Sequence, residues 1–152
     1  MKIGLISLGC DKNRIDSENM LAYLQDEGYE LTGEPSEADI IIVNTCGFID
    51  SAKQEAIDTI LEMAEYKKDK CKYLIVTGCL SQRYMQDIEN EFPEVDMFLG
   101  TANYHKLPIF IRNMVQGQGE KCYVNDKDDR KFSPKRVLTT PYHYAYLKIA
   151  EG

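Results

Sequence analysis

The sequence predicts an α/β domain: an open, mainly parallel sheet with helices on both faces, three layers in all. Three observations carry this. Short continuous apolar runs, Lys2 to Leu8, Ile40 to Val43 and Tyr73 to Val76, are rich in Ile, Leu and Val, as strands covered on both faces are. Segments with apolar residues at helical spacing alternate with them, and that alternation builds parallel sheets through right-handed crossovers. Each run also ends at a glycine next to a cysteine: Gly9-Cys10, Cys46-Gly47 and Gly78-Cys79.

In chain order, the first strand is followed by a helix that Asp16 or Ser17 caps. It carries Met20, Leu21 and Leu24 and stops at Gly28. Tyr29 to Leu31 is a weaker strand. Ile40 to Val43 runs into Asn44-Thr45-Cys46-Gly47, and Ser51-Ala52-Lys53-Gln54 fits a capping box before Ala56, Ile57, Ile60, Leu61 and Ala64. After Tyr73 to Val76, Ser81 opens a third helix with Tyr84, Met85 and Ile88 on one face, and Pro93 ends it. Val95 to Leu99 is a second weak strand, stopped by Gly100. A fourth helix, from about Lys106, tolerates Pro108 in its first turn and carries Ile111, Met114 and Val115. Gly117-Gln118-Gly119 marks a domain exit, and Asp126 to Lys131, continued by Pro134, is a solvated loop. Beyond it, Tyr142, Tyr144, Tyr146 and Lys148 alternate with His143, Ala145, Leu147 and Ile149, the period of a strand. That strand has no partner in the sequence.

The 152 residues, 43% of them hydrophobic, suffice for one compact domain and a tail. A formal charge of −7 argues against a basic nucleic-acid footprint, so no direct nucleic-acid contact is expected of this segment. The apolar runs are too short to cross a bilayer and the N-terminus lacks a signal-peptide pattern. The expected location is cytoplasmic, with no membrane partner. Five cysteines make an odd count, no pair has C-x-x-C spacing, and in a reducing compartment a disulfide framework is not expected.

Cys10, Cys46 and Cys79 each follow a predicted strand and precede a helix, separated by 35 and 32 residues. Loops at the carboxyl ends of parallel strands share one edge of the sheet, where ligands bind. The helix N-termini there favour thiolates and anionic groups. The flanking glycines let backbone approach a bulky inorganic group without a Cβ. Soft thiolate sets suit iron–sulfur clusters, zinc or copper(I). A cysteine taken singly at a strand end is more often a small core residue, but three at equivalent positions make a set. Cys71 precedes a strand and Cys122 lies beyond the exit, so both read as ordinary core thiols.

Leu8-Gly9-Cys10-Asp11-Lys12-Asn13, Asn44-Thr45-Cys46-Gly47-Phe48-Ile49-Asp50 and Val76-Thr77-Gly78-Cys79-Leu80-Ser81-Gln82-Arg83-Tyr84 resemble the three blocks of the N-terminal domain of the radical-SAM methylthiotransferase family. Asp16-Ser17-Glu18 and Ala52-Lys53 add to the likeness, which covers Met1 to about Met114. The blocks are more similar to the branch that modifies a ribosomal protein than to the tRNA-modifying branch.

The resemblance implies that residues 1–116 form the iron–sulfur domain, 117–137 a linker, and 138–152 the first strand of a radical-SAM barrel. It implies a 4Fe–4S cluster on Cys10, Cys46 and Cys79, with one iron left open for a sulfur species. A second 4Fe–4S cluster and S-adenosylmethionine belong to a domain that this chain lacks. The family's C-x-x-x-C-x-x-C motif follows where the chain stops at Gly152, so the fragment alone is expected to be inactive. The implied reaction inserts a methylthio group at the β-carbon of an aspartate in small-subunit ribosomal protein twelve, after hydrogen abstraction by a 5′-deoxyadenosyl radical.

Around the cysteines, Asn13, Asn44 and Thr45 either donate to cluster sulfurs or shape the strand ends. Arg83 either offsets the negative charge of a cluster or faces solvent, Gln82 stands beside it on the helix's first turn, and Asp50 and Ser51 are caps. His105 and His143 are not expected to be ligands. Three other readings stay open. They are a tRNA adenosine methylthiotransferase fragment, a non-catalytic flavodoxin-like binding module with buried cysteines, and a zinc site of three thiolates and water.

Overall fold

The computed structural model describes residues 1–124, 135–147 and 149. Lys2–Ser7 (β1), Glu30–Thr32 (β2), Ile40–Thr45 (β3), Tyr73–Gly78 (β4), Met97–Leu99 (β5) and Cys122–Tyr123 (β6) form one sheet in the order β2-β1-β3-β4-β5-β6. Every pairing is parallel. The helices are Asp11–Asp26 (α1), Asp50–Glu65 (α2), Cys79–Ile88 (α3) and Leu107–Val115 (α4). The chain moves outward from β1 to β2 and then returns past β1 to β3, so β1 and β3 flank the switch point at which doubly wound sheets bind ligands.

β3 is buried at all six positions, which is why it reads as an unbroken apolar run. Its alternate side chains enter two cores. Ile41 and Val43, with Leu74 and Val76, pack against Ala56, Ile60 and Met63 of α2 and Leu80 and Ile88 of α3. Ile40 and Ile42, with Ile3, Ile75, Met97 and Leu99, pack against Met20 and Leu24 of α1 and Leu107 and Ile111 of α4. The three-layer architecture expected from the sequence is therefore present.

Helix starts differ from the sequence reading. α1 begins at Asp11 with Cys10 as its N-cap, so Asp16 and Ser17 cap nothing and lie buried in its second turn. α2 begins at Asp50 after Ile49, with no side-chain capping bond, and neither Asp50 nor Ser51 acts as the cap. Ser81 is the third residue of α3, whose N-cap is Gly78. In each case the loop or strand end that carries the cysteine, not the local capping residue, precedes the helix start. α4 follows a 3₁₀ turn, Tyr104–Lys106, and keeps Pro108 in its first turn as expected.

The sheet also extends past the glycine pair at 117 and 119. Cys122 and Tyr123 pair with β5, and Tyr123 stacks on Phe110 of α4 at a centroid distance of 3.9 Å. The alternating tail forms no strand among the described residues: 142 and 143 make a turn, and Tyr142, Leu147 and Ile149 stand exposed. A strand needs a neighbour for its backbone groups, and none lies alongside. The run Asp126 to Lys131, Pro134 and Lys148 lie outside the described residues. Among the described residues no helix is long and apolar enough to cross a membrane.

At the amino edge, Asp39 Oδ2 accepts the Lys2 backbone N–H at 2.8 Å, and that bond holds its carboxyl below the ordinary 3.8. A depressed carboxyl contributes stability above its unfolded pKa and loses it as pH falls through the folded value. We expect Asp39→Asn, which keeps the acceptor but cannot ionise, to lower the urea midpoint at neutral pH and to converge with the wild type below about pH 4, flattening the acid limb of the profile.

Candidate metal centre at the carboxyl edge

Because the sheet is parallel, the ends of β1, β3 and β4 lie side by side, and each delivers one cysteine. Cys10 follows β1 and is exposed, while Cys46 follows β3 and Cys79 opens α3, both half-buried. The three loops touch through their glycines. Gly9 has φ +101°, and a Cβ on it would stand 2.6 Å from Cys46 Cβ and 3.2 Å from its Sγ. A Cβ on Gly47 would stand 3.1 Å from Leu80 Cα, and Gly78, also at φ +101°, would place one 2.6 Å from Asn44 Oδ1. The glycines were expected to make room for an inorganic group. Instead they let the three loops approach one another.

A set of buried amide contacts holds those loops. Asn13 Nδ2 donates to Leu8 O at 2.8 Å and to Thr45 O at 2.9 Å. Asn44 Nδ2 donates to Asn13 O and to Ser17 Oγ, each at 2.9 Å, and Thr45 Oγ1 donates to Thr77 O at 2.6 Å. Every donor hydrogen these side chains carry is thereby engaged. Of the two roles open to them in the sequence, the geometry favours shaping the strand ends. Asn44 Oδ1 and Thr77 Oγ1 are buried with no hydrogen-bond partner.

Three helix N-termini, those of α1, α2 and α3, open at this edge without side-chain caps, leaving N–H groups and dipoles that favour negative charge. Burial pushes the Cys79 thiol up, and Cys46 and Cys10 add to this, while Lys12 and Arg83 pull the other way. Arg83 is exposed, with its guanidinium over the ring of exposed Phe48 at 5.5 Å. Gln82 Oε1 accepts the Thr101 N–H at 3.1 Å and ties α3 to the end of β5. Lys12 was given no role in the sequence, and Ser17 was read there as a helix cap, not as the acceptor of Asn44. The Asn13–Ser17 spacing, one helical turn, was the available signal for Ser17.

No three of His, Cys, Asp and Glu among the described residues stand close enough to share one metal ion. Three thiolates on a single zinc would lie on the order of 4 Å apart, given Zn–S bonds of about 2.3 Å. Those on a four-iron cluster hold different irons and stand wider. The remaining thiols are elsewhere: Cys71 is buried at the amino end of β4, its Sγ 3.2 Å from Tyr73 O. Cys122 sits in β6, where burial and Glu89 push it up to about 11. His105 lies in the turn before α4, and His143 packs edge-on against Tyr142 and Tyr144.

By sequence, the chain belongs to the uncharacterized protein family UPF0004, which it matches over residues 2–100. Among curated relatives, ribosomal protein uS12 methylthiotransferase RimO of Caldicellulosiruptor saccharolyticus is 53% identical across the whole of this chain and 35% of that protein. The proteins of the same name from Clostridium tetani and from a Thermoanaerobacter species are 53% and 48% identical, over 100% and 99% of this chain and 34% of each relative. The chain thus spans about a third of the length of the curated relatives it matches.

Gly9 and Gly28 form an internal contrast, because both have positive φ but nothing lies within 4 Å of a Cβ on Gly28. We expect Gly28→Ala to cost about 1 kcal/mol of backbone strain, and Gly9→Ala about 2–4 kcal/mol, strain and overpacking against Cys46 together. Urea denaturation of the two variants measures the difference.

Proposed function

We propose that Cys10, Cys46 and Cys79 hold a 4Fe–4S cluster, and that this chain is the cluster-bearing N-terminal part of a methylthiotransferase acting on ribosomal protein uS12. The observation that carries the reading is the arrangement of three thiols on adjacent parallel strand ends, their loops pinned by Gly9 and Gly78. The donor set fits the group. Thiolates are the ligands such clusters take, the helix N-termini favour its negative charge, and Lys12 and Arg83 lie near enough to Cys79 to favour its thiolate. Matches across the whole of this chain, to about a third of relatives bearing the uS12 methylthiotransferase name, support the substrate.

When bound, such a cluster supplies one iron that no cysteine of this edge occupies. The chain's own part is to orient and protect. Asn13 and Asn44 fix the loop that carries Cys10 relative to that of Cys46, and Thr45 ties the latter to the strand that ends beside Cys79. Burial pushes the Cys79 thiol up, and metal binding there would release its proton. We place residues 1–116 in the cluster domain, with β6 completing its sheet from within the 117–137 connection, and 138–152 at the start of a radical-SAM domain. The second cluster and S-adenosylmethionine fall to that domain.

Anaerobic reconstitution with iron and sulfide tests the site. We expect one cluster per chain, lost or strongly reduced in each of Cys10→Ala, Cys46→Ala and Cys79→Ala, and retained in Cys71→Ala and Cys122→Ala. An unchanged iron content in the first three would refute the assignment. For the substrate, the full-length protein should add a methylthio group to uS12 and leave tRNA unmodified, as mass spectrometry of both would record.

A further inference from the structure

Glu18 is 1% exposed, and what covers it comes from far along the chain. Arg136 Nε pairs with Glu18 Oε2 at 3.0 Å. Thr139 donates its backbone N–H and its hydroxyl to Glu18 Oε1, at 2.7 and 2.9 Å, and the Val137 N–H donates to the Glu18 carbonyl at 3.2 Å. The same segment touches α1 on either side of this point. Lys135 Nζ meets the Asp26 carboxylate at 3.2 Å near the helix C-terminus. At the other end the Arg14 guanidinium lies 5.9 Å from the centre of the Tyr146 ring, and the Asp11 carboxylate pushes that phenol's pKa up.

The order of these contacts is Asp26, then Glu18, then Arg14 and Asp11. The segment therefore runs antiparallel to α1, along about 22 Å of helix, and arrives beside Cys10. Asp11, Glu18 and Asp26 are spaced by seven and eight residues, about two turns each, which keeps them on one side of the helix. A buried carboxylate is tolerated only when paired and hydrogen-bonded. Here, among the described residues, its carboxylate oxygens are held by Arg136 and Thr139.

We propose that this acidic side of α1 is a docking rail for the chain's own residues 135–146, the end of the connection and the residues just after it, with Glu18 as the lock, and that it sets the following part of the protein against the thiol edge. The docking stands independently of any cluster; only its purpose, bringing a second domain to the cluster, rests on the proposed function.

Amide hydrogen exchange on the chain tests the rail. In the wild type the amides of Val137 and Thr139 should exchange at least tenfold more slowly than in an unstructured peptide. Glu18→Gln should remove most of that protection and leave the β3 amides slow. Arg136→Gln makes the same test from the tail side, without altering a buried residue of α1, should Glu18→Gln fail to fold. A carbodiimide cross-link between Lys135 and Asp26 should fall in parallel. Unprotected amides in the wild type, or unchanged protection in Arg136→Gln, would overturn the proposal. Loss of reconstituted iron with protection intact would contradict the cluster reading alone.

Discussion

Between the loop that leaves β1 and the first atoms of Cys46 there is room for the hydrogen of Gly9 and for nothing larger. That contact closes the switch point of the sheet, where loops ordinarily diverge to admit a ligand. With the loops closed, Leu8 N–H continues the β1–β3 ladder to Asn44 O at 2.9 Å. Asn13 is thereby brought within reach of both Leu8 O and Thr45 O. The start of α1, the position of Cys10 and the seat of Ser17 under Asn44 all follow from this one approach.

The interior shows where stability is gained and where it is given up. Apolar side chains of β3 and β4 fill both cores at full burial, whereas the same strands end in Asn44, Thr45 and Thr77, polar yet fully buried. Most of their groups are bonded, but Asn44 Oδ1 and Thr77 Oγ1 are not. An unsatisfied buried polar atom costs about 1–3 kcal/mol. A cost of that kind next to three converging thiols is what a site that must keep a fixed shape incurs.

The sheet was legible because strands buried on both faces carry their apolar character at every position, and no tertiary knowledge is needed to see it. Helix starts were not: Asp16, Ser17, Ser51 and Ser81 are all good capping residues, yet the helices start at Asp11, Asp50 and Cys79 without side-chain caps, and Ser17 is drawn inward by Asn44. β6 is two residues long, too short for any periodicity. The alternating tyrosines of the tail show the reverse failure, a pattern without the neighbour that would make it a strand. The three cysteines were legible as a set from their equivalent positions. The purpose of the adjacent glycines was not, because which backbone lies opposite a glycine is a property of the packed loops. Glu18 stood out only as part of a family block, and its pairing was not legible because its partners lie more than a hundred residues away.

If three thiols and no fourth protein ligand hold the cluster, one iron is accessible to an added sulfur ligand. The direct measurement is the electron paramagnetic resonance spectrum of the reduced, reconstituted chain with and without methanethiolate. A changed signal that disappears together with the cluster in Cys46→Ala is the result expected here. A signal indifferent to the added thiolate would mean that the fourth position is already filled by the protein, and would contradict the three-cysteine site.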